Sequence, residues 1–243
     1  RNGTLEVAKT SVANLEVYDR RLGLFALPFA FDSRERLYAA QDGELGRRLA
    51  AILERYGLRV LGWFDSGERN IYNARRPVHE PADLRGLKLR VQENQIMIDT
   101  FNTLGAQSTP LPTNQIYSAL QQGVVEGAEN SLTFFVQQHH NEIAKYYSYT
   151  RHFFSVDPLL VSDRWFRLQT PADQEAILRA GHEAQHKERG LWVESDRNYL
   201  ELARQSGAKI NEADTAAFKK AVAGVYARHR ATFGSLLDLT DWR

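Results

Sequence analysis

The apolar positions change period several times along the chain, and each change marks an element. Leu5-Glu6-Val7-Ala8 alternates as a short strand does, and the apolar run Leu22 to Phe31 predicts two strand-like pieces interrupted at Pro28. Between Glu35 and Tyr56 the residues Leu37, Leu45, Leu49, Ile52 and Leu53 recur at helical spacing, and Gly57 follows where a helix would end. Leu58 to Phe64 predicts the next strand. After the turn-rich segment Pro77 to Gly86, Leu87-Lys88-Leu89-Arg90-Val91 alternates cleanly, a strand with Arg90 near its end. Ile96 to Leu104 predicts a helix closed by Gly105, and Asn114 to Gln122 another closed by Gly123, with Asn114 as its N-cap. Thr170-Pro171 caps and opens a long charged helix that Gly190 interrupts without ending, and an amphipathic stretch from Ala213 to Phe233 follows. This alternation predicts α/β layers with mainly parallel strands, whose ligands gather at strand carboxyl ends.

Composition removes several function classes. With 243 residues, 43% hydrophobic and 25% charged, the chain can fold as one large domain or two modest ones. Its 31 Lys plus Arg nearly balance 30 Asp plus Glu, so nucleic acid is not an expected partner. The longest apolar run, Leu22 to Phe31, contains Pro28 and is about half the roughly 20 residues a membrane span needs, so no direct membrane insertion is expected. The absence of cysteine removes disulfides, thiolate metal sites and cysteine nucleophiles. Neither a Gly-x-Gly-x-x-Gly turn nor a phosphate loop nor a Gly-x-Ser-x-Gly elbow is present, and no cofactor is implied.

His182-Glu183-Ala184-Gln185-His186 matches the zinc-protease pattern His-Glu-x-x-His, in which two histidines one helical turn apart hold zinc and the glutamate is general base. Its test is which way the histidines face. At about 100° per residue from Ile177, Gly181, Ala184, Leu191 and Trp192 fall within about 60°, whereas His182 and His186 point roughly 140° and 180° away. They are therefore expected to face outward, without a zinc site, and the chain is not expected to be an enzyme. His139 and His140, beside Glu142, diverge by about 100° on a helix and are expected on a solvated surface.

The stretch Ala82-Asp83-Leu84-Arg85-Gly86-Leu87-Lys88-Leu89-Arg90-Val91, followed by Leu104-Gly105-Ala106 and Pro110-Leu111-Pro112, resembles the solute receptors of tripartite ATP-independent periplasmic (TRAP) transporters, the C4-dicarboxylate-receptor-like family. Ile116-Tyr117-Ser118-Ala119-Leu120-Gln121-Gln122-Gly123-Val124-Val125-Glu126-Gly127-Ala128-Glu129-Asn130 is similar to that family's central signature, and Leu27-Pro28-Phe29 and Gly3-Thr4-Leu5-Glu6 to its earlier landmarks. The resemblance covers nearly the whole chain and is most specific over residues 82–130.

It implies a two-domain Venus-flytrap fold: residues 1–66 completed by 156–195, and 67–155 completed by 196–243, with the helix after Pro171 crossing both. Family members usually carry a further βαβ unit before the Gly-Thr-Leu-Glu landmark, so the start of the first domain is expected to be missing. An exported, periplasmic receptor is implied, any signal peptide having been removed, which closes on a small organic acid and hands it to TRAP membrane subunits; the alternatives are a sensor or orphan binding module of the same fold and, least favoured, a zinc hydrolase using His182 and His186.

An always-charged guanidinium with two parallel donors suits a carboxylate, and an arginine at a strand end can present them to a cleft. Arg90 stands at such a place, and the resemblance makes it the carboxylate clamp; the bland alternative is a surface ion pair. By the same matching Arg69 and Asn130 are expected to bind the ligand, and Thr10 and Thr113 to line the cleft. Asn130 is equally a natural cap, and Thr10 a strand surface residue. Gln92 and Asp157 are candidate hydroxyl partners or ordinary loop polar groups. Ser131 stands where a proline often follows the signature Asn, and threonine rather than an aromatic occupies position 113. More small polar groups and less aromatic wall favour a sugar acid or another hydroxy acid, ahead of C4-dicarboxylates and keto acids.

Overall fold

The computed structural model describes residues 5–242. The Gly3-Thr4 part of the first landmark lies outside the described residues. In chain order the strands and helices are β1 (Val7–Lys9), α1 (Arg34–Asp42), α2 (Glu44–Glu54), β2 (Leu58–Asn73), β3 (Lys88–Val91), α3 (Gln95–Thr103), β4 (Gln107–Pro110), α4 (Ile116–Gln121), β5 (Gly127–Asn130), α5 (Leu132–Gln137), β6 (Tyr146–Ser162), α6 (Asp163–Phe166), α7 (Pro171–Gln205), β7 (Lys209–Glu212), α8 (Thr215–Ala221) and α9 (Ala223–Phe233).

These strands form one open sheet in the order β1-β6-β2-β5-β3-β4, with β7 beside β6. The sheet is mixed rather than mainly parallel: β3 runs parallel to β4 and β5, and β7 to β6, while the long β2/β6 ladder, β1/β6 and β2/β5 are antiparallel. Two apolar clusters flank it. One gathers Leu22, Leu24, Leu37, Leu49, Trp63, Leu89, Phe101, Val225 and Phe233; the other gathers Tyr72, Ile116, Leu120, Phe135, Tyr147 and Ala203. Both long strands feed both clusters, β2 through Trp63 and Tyr72, β6 through Phe153 and Tyr147.

Several expected elements differ. Leu22 to Phe31 is buried throughout but is no strand: Arg20–Ala26 winds as a 3-10 helix capped by Asp19, and Phe29 takes a left-handed φ of 58°. The Phe29 N–H donates to the His152 carbonyl at 2.7 Å and Tyr226 Oη to the Pro28 carbonyl at 2.8 Å, so tertiary partners satisfy a backbone that no ladder reaches. The expected single helix from Glu35 to Tyr56 breaks at Gly43 into α1 and α2. The strand expected to end at Phe64 continues to Asn73. Asn114 is not an N-cap but lies in the 3-10 turn Thr113–Gln115 that leads into α4.

The predicted long helix is α7, with Thr170 Oγ1 accepting from the Asp173 N–H and Pro171 at its first position. Where it crosses β2 its inward face is not apolar, a correction to the stripe expected from Ile177: Gly181, Gln185 and Arg189 are buried, while Ala184 and Leu191 are exposed, and only near its end does Ala203 join the second apolar cluster. The reason lies in β2. Between Leu58 and Arg69 that strand has β6 on one side only, and α7 covers the other. Gln185 Oε1 accepts from the Trp63 N–H at 2.7 Å and Glu188 Oε2 from the Asp65 N–H at 3.0 Å, so helix side chains satisfy an unpaired strand edge. Gly181 permits the approach: a Cβ there would lie 2.7 Å from the Leu61 Cβ and carbonyl oxygen, whereas one at Gly190 would meet nothing within 4 Å. Gly181→Val should therefore destabilise the fold by about 1–3 kcal/mol. Gly190→Ala should stabilise it by roughly 0.5–1 kcal/mol. Urea unfolding of both variants tests the contrast, and equal effects would disprove the close packing of α7 on β2.

Candidate functional site

Three parallel strands end side by side. β3 delivers Arg90 and then Gln92, β4 leads through Pro110 to Thr113, and β5 ends at Asn130, in a register that sets Arg90 against Ala128 on one side and Thr109 on the other. The antiparallel pair contributes Arg69 from β2, opposite Phe153 of β6 and next to Asn70, which faces Asn130. Arg69, Arg90, Gln92, Thr113 and Asn130 thus come together at the carboxyl ends of β3, β4 and β5, beside the middle of the long β2/β6 ladder, and strand carboxyl ends are where open α/β sheets hold ligands.

Arg90 is 1% exposed and makes no ion pair with a carboxylate among the described residues. Its Nε donates to the Leu111 carbonyl at 2.8 Å, its Nη2 reaches Thr113 Oγ1 at 3.5 Å, and its buried Nη1 has no hydrogen-bond partner. Burial lowers its pKa, Glu129 opposes that shift and neighbouring Arg69 adds to it. A buried guanidinium with an unused donor and no counter-ion is held at a cost that an incoming carboxylate would remove.

Arg69 is in the opposite condition. Its Nε and Nη2 donate to the two Glu129 carboxylate oxygens at 2.5 and 2.7 Å, Nη2 also to the Glu129 carbonyl at 2.8 Å, and Nη1 to Asn130 Oδ1 at 3.0 Å. Its charge is neutralised inside the protein, and its guanidinium lies over the Phe153 ring at 5.6 Å. Burial pushes the Glu129 carboxyl up, but Arg69 and the hydrogen bonds from His152 and Arg69 outweigh it and hold the pKa at about 2. His152 Nε2 lies 3.4 Å from Glu129 Oε2 and its Nδ1 2.8 Å from Thr150 Oγ1; burial lowers its pKa against the pull of Glu129. Asn130 is not a helix cap: Ser131 caps α5, and Asn130 Oδ1 accepts from Arg69 and from the Ser131 N–H, leaving its Nδ2 without a partner among the described residues.

The remaining candidates are less engaged. Thr113 is exposed, with its hydroxyl toward Arg90. Gln92 is buried beside Phe153 and Ser155 in a narrow recess, its side-chain amide unbonded among the described residues. Asp157 is paired with Lys9 at 2.8 Å across the β1/β6 edge. Thr10, just past β1, is half-buried and makes no hydrogen bond among the described residues. Sequence reasoning missed Glu129, His152 and Phe153. The signal for the last two was the aromatic and β-branched density of residues 146–162, which marks a strand.

His182, Glu183 and His186 all lie on the exposed side of α7, as their phase predicted. Among the described residues no three His, Cys, Asp or Glu side chains converge to hold a metal ion. The surface reading holds for His139 but not for His140, which is buried with Nδ1 2.7 Å from Tyr72 Oη and whose pKa burial lowers to about 4. No described helix is long and apolar enough to cross a membrane.

Residues 1–232 match the family described as bacterial extracellular solute-binding protein, family 7. The chain belongs to that family. This is the TRAP receptor family that residues 82–130 resemble. A solute-binding protein of Chromohalobacter salexigens is 34% identical over 93% of this chain and 68% of its own length. A TRAP periplasmic solute-binding protein of a Sulfitobacter species, solved with bound β-D-galacturonate, superposes with a TM-score of 0.94 at 32% identity, covering 98% of this chain and 79% of that one. Another from a Polaromonas species, bound to D-erythronate, has a TM-score of 0.94 at 28% identity over 99% and 81%. Family 7 therefore supplies the fold class, two α/β domains of the periplasmic-binding type, and its members are solute receptors rather than enzymes.

Proposed function

We propose that this family-7 chain belongs to a periplasmic receptor that binds a sugar acid and delivers it to TRAP membrane subunits. The observation that carries the reading is Arg90: a buried guanidinium with a free Nη1 and no counter-ion, at the carboxyl ends of three parallel strands. The ligand carboxylate docks there in the open state. The unpartnered Asn130 amide, Thr113 and Gln92 take hydroxyls, while Arg69, fixed by Glu129, orients Asn130 rather than clamping the acid alone. Thr10 and Asp157 are reached when the lobes close, Asp157 exchanging Lys9 for a ligand hydroxyl. The galacturonate and erythronate held by the two neighbours support a polyhydroxylated monocarboxylate over an apolar acid. Closure changes the surface offered to the membrane subunits, and docking that favours the open form releases the cargo, a population shift set by differential affinity.

Thermal unfolding against a panel of uronates, aldonates, C4-dicarboxylates, keto acids and amino acids tests this, because a ligand that binds only the folded state raises the unfolding temperature. A rise of several degrees with a uronate or aldonate is expected. Stabilisation only by amino acids or apolar acids would overturn the reading.

A further inference from the structure

The receptor reading leaves His182 and His186 without a role. They stand one turn apart on the exposed side of α7, with ring centroids 4.4 Å apart, planes at 74°, and Nε2 atoms 3.2 Å from each other. Neither ring has another hydrogen bond among the described residues. Two Nε2 atoms this close, on rings packed edge to face, repel when both present lone pairs and when both present protons. Only a proton shared between them or a cation bridging them relieves this.

We infer that His182 and His186 form a two-imidazole chelate for a divalent transition metal of the Ni2+, Cu2+ and Zn2+ class. With metal–nitrogen bonds of about 2.0–2.1 Å and an angle between them of about 90–110°, two imidazole donors sit roughly 2.8–3.4 Å apart. The observed 3.2 Å falls inside that range, and only a rotation of the exposed rings about their side-chain bonds is needed to turn both lone pairs to a common ion. The platform is stiff: the intervening Gln185 is held by the Trp63 N–H and by its own Nε2–H donation to Asp42 Oδ1 at 2.8 Å, and Gly181 is packed on Leu61. Asp42, whose carboxylate feels His186 and is already paired with Arg189, adds negative potential nearby without being a third donor. Imidazole donors select this metal class over Mg2+ and Ca2+, which prefer oxygen ligands. The remaining coordination positions open to solvent, where water or a donor from another molecule completes them. This site is not the hydrolytic centre that the motif suggests, because among the described residues no third His, Cys, Asp or Glu joins the two histidines and Glu183 lies exposed beside them.

Calorimetric titration of the tag-free chain with NiCl2, CuCl2 and ZnCl2 tests the inference. The wild type should take one equivalent, tightest for Cu2+ in the usual order. His182→Gln and His186→Gln should each weaken binding at least about tenfold, because losing one of two linked donors removes the chelate advantage. His139→Gln, an exposed histidine elsewhere, should change nothing. Both substituted histidines are solvent-facing, so the variants should keep the wild-type helical signal and unfolding midpoint. Binding by the H182Q/H186Q double variant equal to the wild type, or no wild-type binding at millimolar metal, would overturn the site.

Discussion

Arg90→Ala should lower the affinity for a sugar acid by roughly 30-fold or more while leaving the protein folded. Truncating one partner of a buried, hydrogen-bonded charge pair costs about 2–5 kcal/mol, and the ligand carboxylate would be that partner. The unliganded protein should lose some stability, because the buried stem and the bond to the Leu111 carbonyl go, but no ion pair is broken and no carboxylate is left uncompensated. Arg90→Lys should also weaken binding, since an ammonium keeps the charge but loses the parallel donors of the guanidinium. Isothermal titration with the best ligand of the panel, beside urea unfolding without it, separates binding from folding. An Arg90→Ala protein that binds with undiminished affinity would remove Arg90 from the site.

Glu129→Gln should have the opposite profile, with its main effect on stability. Glu129 and Arg69 are both buried, and removing one partner of a buried pair leaves an uncompensated charge at a cost of about 3–5 kcal/mol. The pH dependence follows from the sign of the shift. The folded-state pKa of Glu129 is depressed to about 2 from 4.5, so its contribution is fully present above pH 4.5 and is lost as the pH falls toward 2. Wild-type stability should therefore fall more steeply over that window than that of Glu129→Gln. Unfolding free energies from pH 7 down to pH 3 check both points, and a difference under about 0.5 kcal/mol at pH 7 would mean that the pair is not structural. Asn130 should also be held less firmly in this variant, because Arg69 is one of the two donors to its amide oxygen, the Ser131 N–H being the other.

The two predictions differ because the two arginines, alike in sequence, sit in different electrostatic surroundings. Arg90 is reached by its own strand, and the alternation of residues 87–91 was enough to place it at a strand end. Arg69 was expected to bind ligand directly, and nothing within its local segment indicated that Glu129, 60 residues away, would neutralise it. The same distinction runs through the fold. Helix α7 was legible because Thr170 and Pro171 act within one turn, and its outward histidines followed from helical phase alone. Its inward face was misread because Gln185 and Glu188 serve the backbone of β2, more than 120 residues away, and not an apolar core.

Strand β6 and the second half of β2 were missed for a related reason. Asp65, Arg69, Asn70 and His152 look like loop residues until a partner strand, α1 and β5 supply their bonds: Tyr38 Oη donates to Asp65 at 2.5 Å, and Asn70 Oδ1 accepts from the Arg151 N–H at 2.8 Å. By itself the sequence determined what depends on neighbours in the chain: caps, helical phase, the strand-end position of Arg90, and the family block at residues 82–130. Only the tertiary structure decided which buried charges are paired and which backbone edge is covered, because those bonds join residues that local periodicity cannot connect.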